Sequence, residues 1–152
     1  AIQSLSPERW MKNTFIELHK TFETFDGSML VSMILGLLDN ATGYLYFINA
    51  EHPLAVLYRD NKANFLETKV FYRKLGVMET TSGIFIDTIQ LQKDDIIILG
   101  SDGRDDILLS DSKIMNEDEN RFLGIIEISE GNINKIFQNL ESVGEITDDL
   151  SI

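Results

Sequence analysis

Apolar positions first give a helix. Met11, Phe15, Leu18, Phe22 and Phe25 recur at spacings of four, three, four and three, which makes one apolar helix face. Ser6 is a capping residue, Pro7 suits the first helical position, and Glu8 follows in the first turn. Asp26-Gly27 ends the pattern, so a long helix is expected near residues 7–25. From Met29 to Leu38 the chain is apolar on both faces and reads as a buried strand, although periodicity alone also admits a buried helix. Asp39-Asn40-Ala41-Thr42-Gly43 has turn chemistry, and Tyr44 to Ala50 is rich in aromatics and Ile. The two runs predict a hairpin.

Further strands follow: Leu54 to Tyr58, closed by Arg59-Asp60-Asn61-Lys62, a weaker one over Asn64 to Thr68, and Ile84 to Leu91. The polar turn Gln92-Lys93-Asp94-Asp95 leads into Ile96 to Leu99, a short all-apolar run expected as a central strand. Gly103 to Leu109 predicts a short helix, and Ser110 to Arg121 a polar, acidic loop. Ile133, Ile136, Phe137 and Leu140 at i, i+3, i+4 and i+7 mark a second amphipathic helix. Helix, many antiparallel strands, then helix is an α+β order, with helices packed on antiparallel sheets, and not an alternating βαβ fold.

Composition narrows the function classes. The 152 residues hold 13 Lys and Arg against 25 Asp and Glu, a net charge of −12. That balance argues against nucleic acid as a partner, which needs clustered cations to displace counterions. A hydrophobic content of 43% suffices for a core, and the length suits a single domain over 1–152 or a piece of a larger one. With no Cys, disulfides, thiolate metal sites and a Cys nucleophile are excluded, and two His cannot make a His-rich zinc site. No apolar run reaches the roughly 20 residues that span a bilayer, so no membrane contact by this segment is expected. No signal peptide is visible, and the expected location is cytoplasmic. A chain that begins at Ala1 is expected to be a piece of a longer protein.

Two places carry candidate chemistry. In Leu99-Gly100-Ser101-Asp102-Gly103 an apolar strand runs straight into Asp-Gly, which either points a carboxylate into a cleft or is an ordinary strand-ending turn. In Thr147-Asp148-Asp149-Leu150-Ser151 two adjacent carboxylates repel unless they are solvated or share a cation. Hard ions such as Mg²⁺ or Mn²⁺ prefer such oxygen ligands. A solvated acidic tail explains the same residues. His52 reads as a turn or packing residue, and His19 sits on the polar side of the first helix. The acidic stretch Asn116-Glu117-Asp118-Glu119-Asn120 lacks the alternation and Gly of a calcium loop and reads as solvated.

Taken in order, these pieces resemble the carboxyl-terminal half of bacterial serine phosphatase domains of the sporulation stage II protein E type, within the metal-dependent type 2C-like protein phosphatases. Val31 to Gly43 resembles the strand and "LD-x-x-TG" turn, and Tyr46 to Pro53 resembles "YANAGHP". Leu75-Gly76 is similar to "PLG", Lys93 to Leu99 to "PGD" plus an apolar strand, and Ser101-Asp102-Gly103 to "TDG". Asp148 to Ile152 is similar to the closing "DD-x-T-L". Within the match, Glu51 and Asp94 each replace a usual Gly, and Arg104-Asp105-Asp106 stands where "VTE" is usual. The upstream "GD-x-x-D" and "GHG" motifs do not occur in these residues.

The resemblance implies a type 2C phosphatase-like sandwich of antiparallel sheets, here a partial domain. It also implies two Mn²⁺ or Mg²⁺ ions held mainly by Asp, among them Asp102 and one of Asp148 or Asp149, which activate a water for attack on phosphoserine or phosphothreonine. The expected substrate is a regulatory phosphoprotein, such as an anti-sigma-factor antagonist. With part of the ligand set missing, the isolated chain is expected to bind metal weakly or not at all and to be nearly inactive. A non-catalytic phosphatase-like interaction or dimerisation module is the alternative. A homodimer is expected in either case, because half of a two-sheet domain leaves an apolar face for a second copy to cover.

Overall fold

Ser6, Pro7 and Glu8 start a helix as their chemistry dictates, with the Arg9 N–H donating to the Ser6 hydroxyl oxygen at 3.4 Å. The structure, a computed structural model, describes residues 6–66, 68–69, 72–77 and 83–152. In chain order its elements are α1 (Pro7–Glu23), β1 (Met33–Asp39), β2 (Tyr44–Ala50), β3 (Val56–Arg59), β4 (Lys62–Phe65), β5 (Asp87–Gln90) and β6 (Ile96–Ile98). A 3₁₀ turn (Asp102–Arg104), β7 (Ile107–Leu109), α2 (Arg121–Ile128), α3 (Ile133–Val143) and β8 (Gly144–Ile146) follow. Every paired strand among the described elements is antiparallel. The chain divides into two compact units, Ala1–His52 with Thr68–Lys93 and Pro53–Glu67 with Asp94–Ile152.

In the first unit, α1 lies on a sheet ordered β1-β2-β5. Met11 and Phe15 from the helix, Ile48 and Ala50 from β2, and Tyr72 and Leu75 form its core. The β1–β2 register pairs Asp39 with Tyr44. Asp39 builds the turn itself: one carboxylate oxygen accepts from the Ala41 N–H at 2.9 Å and the other from the Thr42 hydroxyl at 2.8 Å. The Thr42 hydrogen bond, followed by that from Ala41, holds the carboxyl below its ordinary range. At the end of β2, the buried Asn49 side chain closes a turn with the backbone of His52, accepting from its N–H and donating to its carbonyl, both at 2.8 Å. That agrees with a turn role for His52. His19 is less polar in setting than expected, since its ring stacks on Phe15 with centroids 6.3 Å apart.

The expected buried strand 29–38 is corrected. β1 starts only at Met33 and is an edge strand, with Gly36 and Leu38 exposed. Met33, Leu35 and Leu37 face the core beneath α1, while Gly36 and Leu38 point to the opposite face of the sheet.

The second unit holds a sheet ordered β4-β3-β6 and the β7–β8 pair. Its core joins Val56, Tyr58 and Ile98 with Ile107, Phe122, Ile125, Ile126, Ile136 and Leu140. Truncating any fully buried member to Ala costs about 2–5 kcal/mol. β3 and β4 are joined by Asp60 and Asn61 alone, both at positive φ (51° and 59°), which is the two-residue turn whose twist matches the strands. The tight turn starts β4 at Lys62, earlier than expected, and the strand ends at Phe65, short of the expected Thr68; Glu67 lies outside the described residues. Ile96–Ile98 is an edge strand and β3 the central one. The short helix expected over 103–109 is instead the 3₁₀ turn and β7, because β8 arrives to pair with Ile107–Leu109. α2 was not anticipated, although Phe122, Ile125 and Ile126 give it a buried face at i, i+3 and i+4. α3 matches expectation and is capped by Asn132, whose side-chain oxygen accepts from the Lys135 N–H at 3.1 Å.

Both residues standing where Gly is usual keep a glycine-like backbone. Glu51 has φ 46° and Asp94 φ 69°. Asp is among the residues that enter this region readily, whereas Glu is not.

Candidate metal centre

β6 delivers the site. Ile98 is buried, and the chain leaves the strand through Leu99-Gly100-Ser101 into the 3₁₀ turn that starts at Asp102. Within that turn the N–H groups of Asp105 and Asp106 both donate to the Asp102 carbonyl, at 2.8 and 3.2 Å. The curl brings residues 102 and 106 to one side.

The carboxyl-terminal segment is clasped against the same turn. Pairing of Ile107 with Ile146 sets the register. Beyond it, the Thr147 N–H and hydroxyl both donate to the Asp106 carbonyl, each at 2.9 Å. The Ser101 N–H donates to the Ser151 carbonyl at 2.9 Å, and the Ser151 N–H to the Ser101 hydroxyl oxygen at 3.0 Å. The Ser101 hydroxyl donates in turn to the Asp149 carbonyl at 2.9 Å. Asp148 is thereby fixed opposite Asp102 and Asp106.

Asp102, Asp106 and Asp148 each present a carboxylate oxygen, all within 4.8 Å of one another. Asp102 and Asp148 are exposed and Asp106 half-buried. In water-like surroundings each such pair of negative charges repels by about 1 kcal/mol. The donor set is all oxygen and all anionic, which fits a hard divalent cation such as Mg²⁺ or Mn²⁺. Asp149 follows a different path. Its N–H donates to a carboxylate oxygen of Asp148 at 2.7 Å, and its carboxylate is not one of the three gathered.

Of the residues singled out in the sequence, Asp102 and Asp148 therefore meet although 46 residues separate them. Asp106 was missed. The signal was the spacing of four from Asp102, one helical turn, hidden by reading Arg104-Asp105-Asp106 only as a departure from "VTE". Asp105, between them, turns inward. Burial pushes its carboxyl above the ordinary value, and Arg104 partly opposes that.

Antiparallel sheets flanked by helices are also the fold of solved protein phosphatase domains of the PP2C class. The RsbU and RsbW domains of Rv1364c from Mycobacterium tuberculosis match with TM-score 0.71 and 20% identity, over 91% of this chain and 39% of that one. The SpoIIE phosphatase domain from Bacillus subtilis, presoaked in Mn, matches with TM-score 0.58 and 13% identity, over 98% of this chain and 65% of that one. A Bacillus subtilis structure of the SpoIIE PP2C domain with a fragment of its regulatory domain gives 0.61 and 11%, over 95% and 49%. The chain belongs to the Stage II sporulation protein E (SpoIIE) family, whose sequence model matches residues 1–152. It spans less than two thirds of the length of these three solved relatives. No curated protein matches it. Among the described residues no helix is long and apolar enough to cross a membrane.

Proposed function

We propose that the protein is part of a metal-dependent protein serine/threonine phosphatase, and that Asp102, Asp106 and Asp148 hold a divalent cation, Mn²⁺ or Mg²⁺. The observation that carries the reading is the convergence of these three carboxylates from two distant segments. Membership of the SpoIIE family supports it. A cation bound there supplies a Lewis acid for phosphoryl oxygens and a water of lowered pKa. The residues of this chain gather the charge that such an ion needs. Asp102 and Asp106 act from one turn, Asp148 from the facing segment, and the Asp149 N–H orients Asp148. Two ions are expected in a complete domain, and these three carboxylates form only part of such a ligand set.

The proposed substrate is a phosphoserine or phosphothreonine of a regulatory phosphoprotein, such as an anti-sigma-factor antagonist, in the cytoplasm. The proposed assembly is a homodimer. Exposed Met29, Leu30 and Leu38 beside the β1 edge support it, since open edges and apolar patches favour pairing with a second copy. Sedimentation at micromolar concentration tests this, and a clean monomer speaks against it. A non-catalytic phosphatase-like interaction module is the second reading.

Calorimetric titration with Mn²⁺ separates the readings. The phosphatase reading expects binding that Asp106→Asn abolishes, with little hydrolysis of a phosphoserine peptide by this chain alone. Absence of binding favours the interaction module.

A further inference from the structure

We infer that Arg104 is a positioning residue of the acidic site, buried beneath the Asp102–Asp106 turn and holding it in the shape that brings the two carboxylates together. The inference rests on the metal reading above. Arg104 is only 3% exposed. Arginine is almost never buried to that degree unless its charge and N–H groups are met.

Here they are met from several directions. Nε donates to Asp105 Oδ2 at 3.2 Å, and Nη1 donates to the Leu54 carbonyl at 2.9 Å. The guanidinium lies over the Phe122 ring at 4.7 Å and the Phe65 ring at 5.8 Å. Its stem packs over Gly100, where an added Cβ would come within 3.2 Å of Arg104 Cδ. One side chain thus ties the turn to the chain before β3, to β4 and to α2. Only Gly103, Arg104 and Asp105 separate the two carboxylates, and Asp105 is itself bonded to Arg104. By the sequence resemblance an apolar residue usually stands at position 104. Such a residue fills space but bonds neither to the Leu54 carbonyl nor to Asp105.

The sign of the effect distinguishes positioning from charge. A buried cation beside the site repels a divalent ion, so if charge were its main influence, neutralising Arg104 would tighten metal binding. Positioning gives the opposite result, because partners that orient ligands are each worth 10- to 100-fold, as an order of magnitude, in metal affinity.

The test is calorimetric titration of Mn²⁺ into the full chain and into Arg104→Met, Arg104→Lys and Phe122→Leu, each well below its unfolding midpoint by circular dichroism. Arg104→Met is expected to bind Mn²⁺ at least about tenfold more weakly than wild type. Arg104→Lys is expected to recover little of that, since one ammonium cannot both bond in two directions and stack on a ring. Phe122→Leu should fall between. If Arg104→Met does not fold, the other two variants decide. Wild-type or tighter affinity in folded Arg104→Met, or full affinity in Arg104→Lys, overturns the inference alone. A wild-type chain that binds no Mn²⁺ overturns the metal reading and the inference with it.

Discussion

Gly103 passes so close to Asp149 that a Cβ on it would lie 2.5 Å from the Asp149 carbonyl oxygen and 3.1 Å from that of Asp148. Both contacts are to backbone, which cannot swing aside as a flexible side chain does. Gly103→Ala must therefore push the 148–149 segment away from the 3₁₀ turn. Overpacking of this kind costs about 1–3 kcal/mol. The expected outcome is a lower unfolding midpoint together with weaker Mn²⁺ binding. An unchanged Mn²⁺ isotherm would show that the close approach does not set the Asp148 position.

The two adjacent carboxylates near the end of the chain should behave differently. Asp148→Asn neutralises one of the three gathered carboxylates and is expected to abolish Mn²⁺ binding. Asp149→Ala leaves its backbone N–H on Asp148 and its carbonyl on Ser101, so its affinity should stay within about threefold of wild type, below the loss typical of a disturbed ligand or its supporting partner. Manganese electron paramagnetic resonance reads both, and equal losses would refute the assignment of Asp148 over Asp149.

Glu51 holds φ 46°, a conformation that costs an ordinary L-residue about 1–2 kcal/mol. Its side chain returns little, being exposed with Arg73 3.7 Å away. Glu51→Gly should stabilise the protein by about 0.5–1 kcal/mol, the strain relieved less the extra freedom of Gly in the unfolded chain. Asp94→Gly should be closer to neutral, because Asp enters the left-handed region more easily. Denaturant midpoints of the two variants test the contrast, which fails if Asp94→Gly stabilises more.

Glu127 links α2 to the start of β4. Its carboxylate accepts from the Ala63 N–H and from Lys62 Nζ, both at 3.1 Å. The backbone hydrogen bond from Ala63, followed by that from Lys62, lowers its pKa from the ordinary value of 4.5. A lowered folded-state pKa means that the unfolded chain takes up the proton first as pH falls. The stabilisation is present above the ordinary value and is lost as pH drops through the lowered one. Melting curves from pH 7 to about pH 3 should show the gap between wild type and Glu127→Gln closing over the acid end of that range. A gap independent of pH would mean that the charge is not involved.

Residues whose neighbours in sequence are also their neighbours in space were legible without coordinates. Ser6-Pro7-Glu8 fixed the start of α1, Asp39 with Thr42 the first hairpin turn, and the spacing of Ile136 and Leu140 the buried face of α3, because capping, turn chemistry and a 3.6-residue period act locally. Asp102 at the end of an apolar strand was visible for the same reason. Three things depended on distant partners. The apolar run 29–38 could not reveal that β1 lies at a sheet edge, since edge or centre is decided by which strands arrive beside it. Residues 107–109 became a strand and not a helix because β8, far along the chain, supplies its hydrogen bonds. The choice of Asp106 and Asp148 as companions of Asp102, with Asp149 turned aside, follows from the β7–β8 register and from the contact between Gly103 and the backbone of residues 148–149. Each of these is a pairing between segments dozens of residues apart, and no local propensity encodes it.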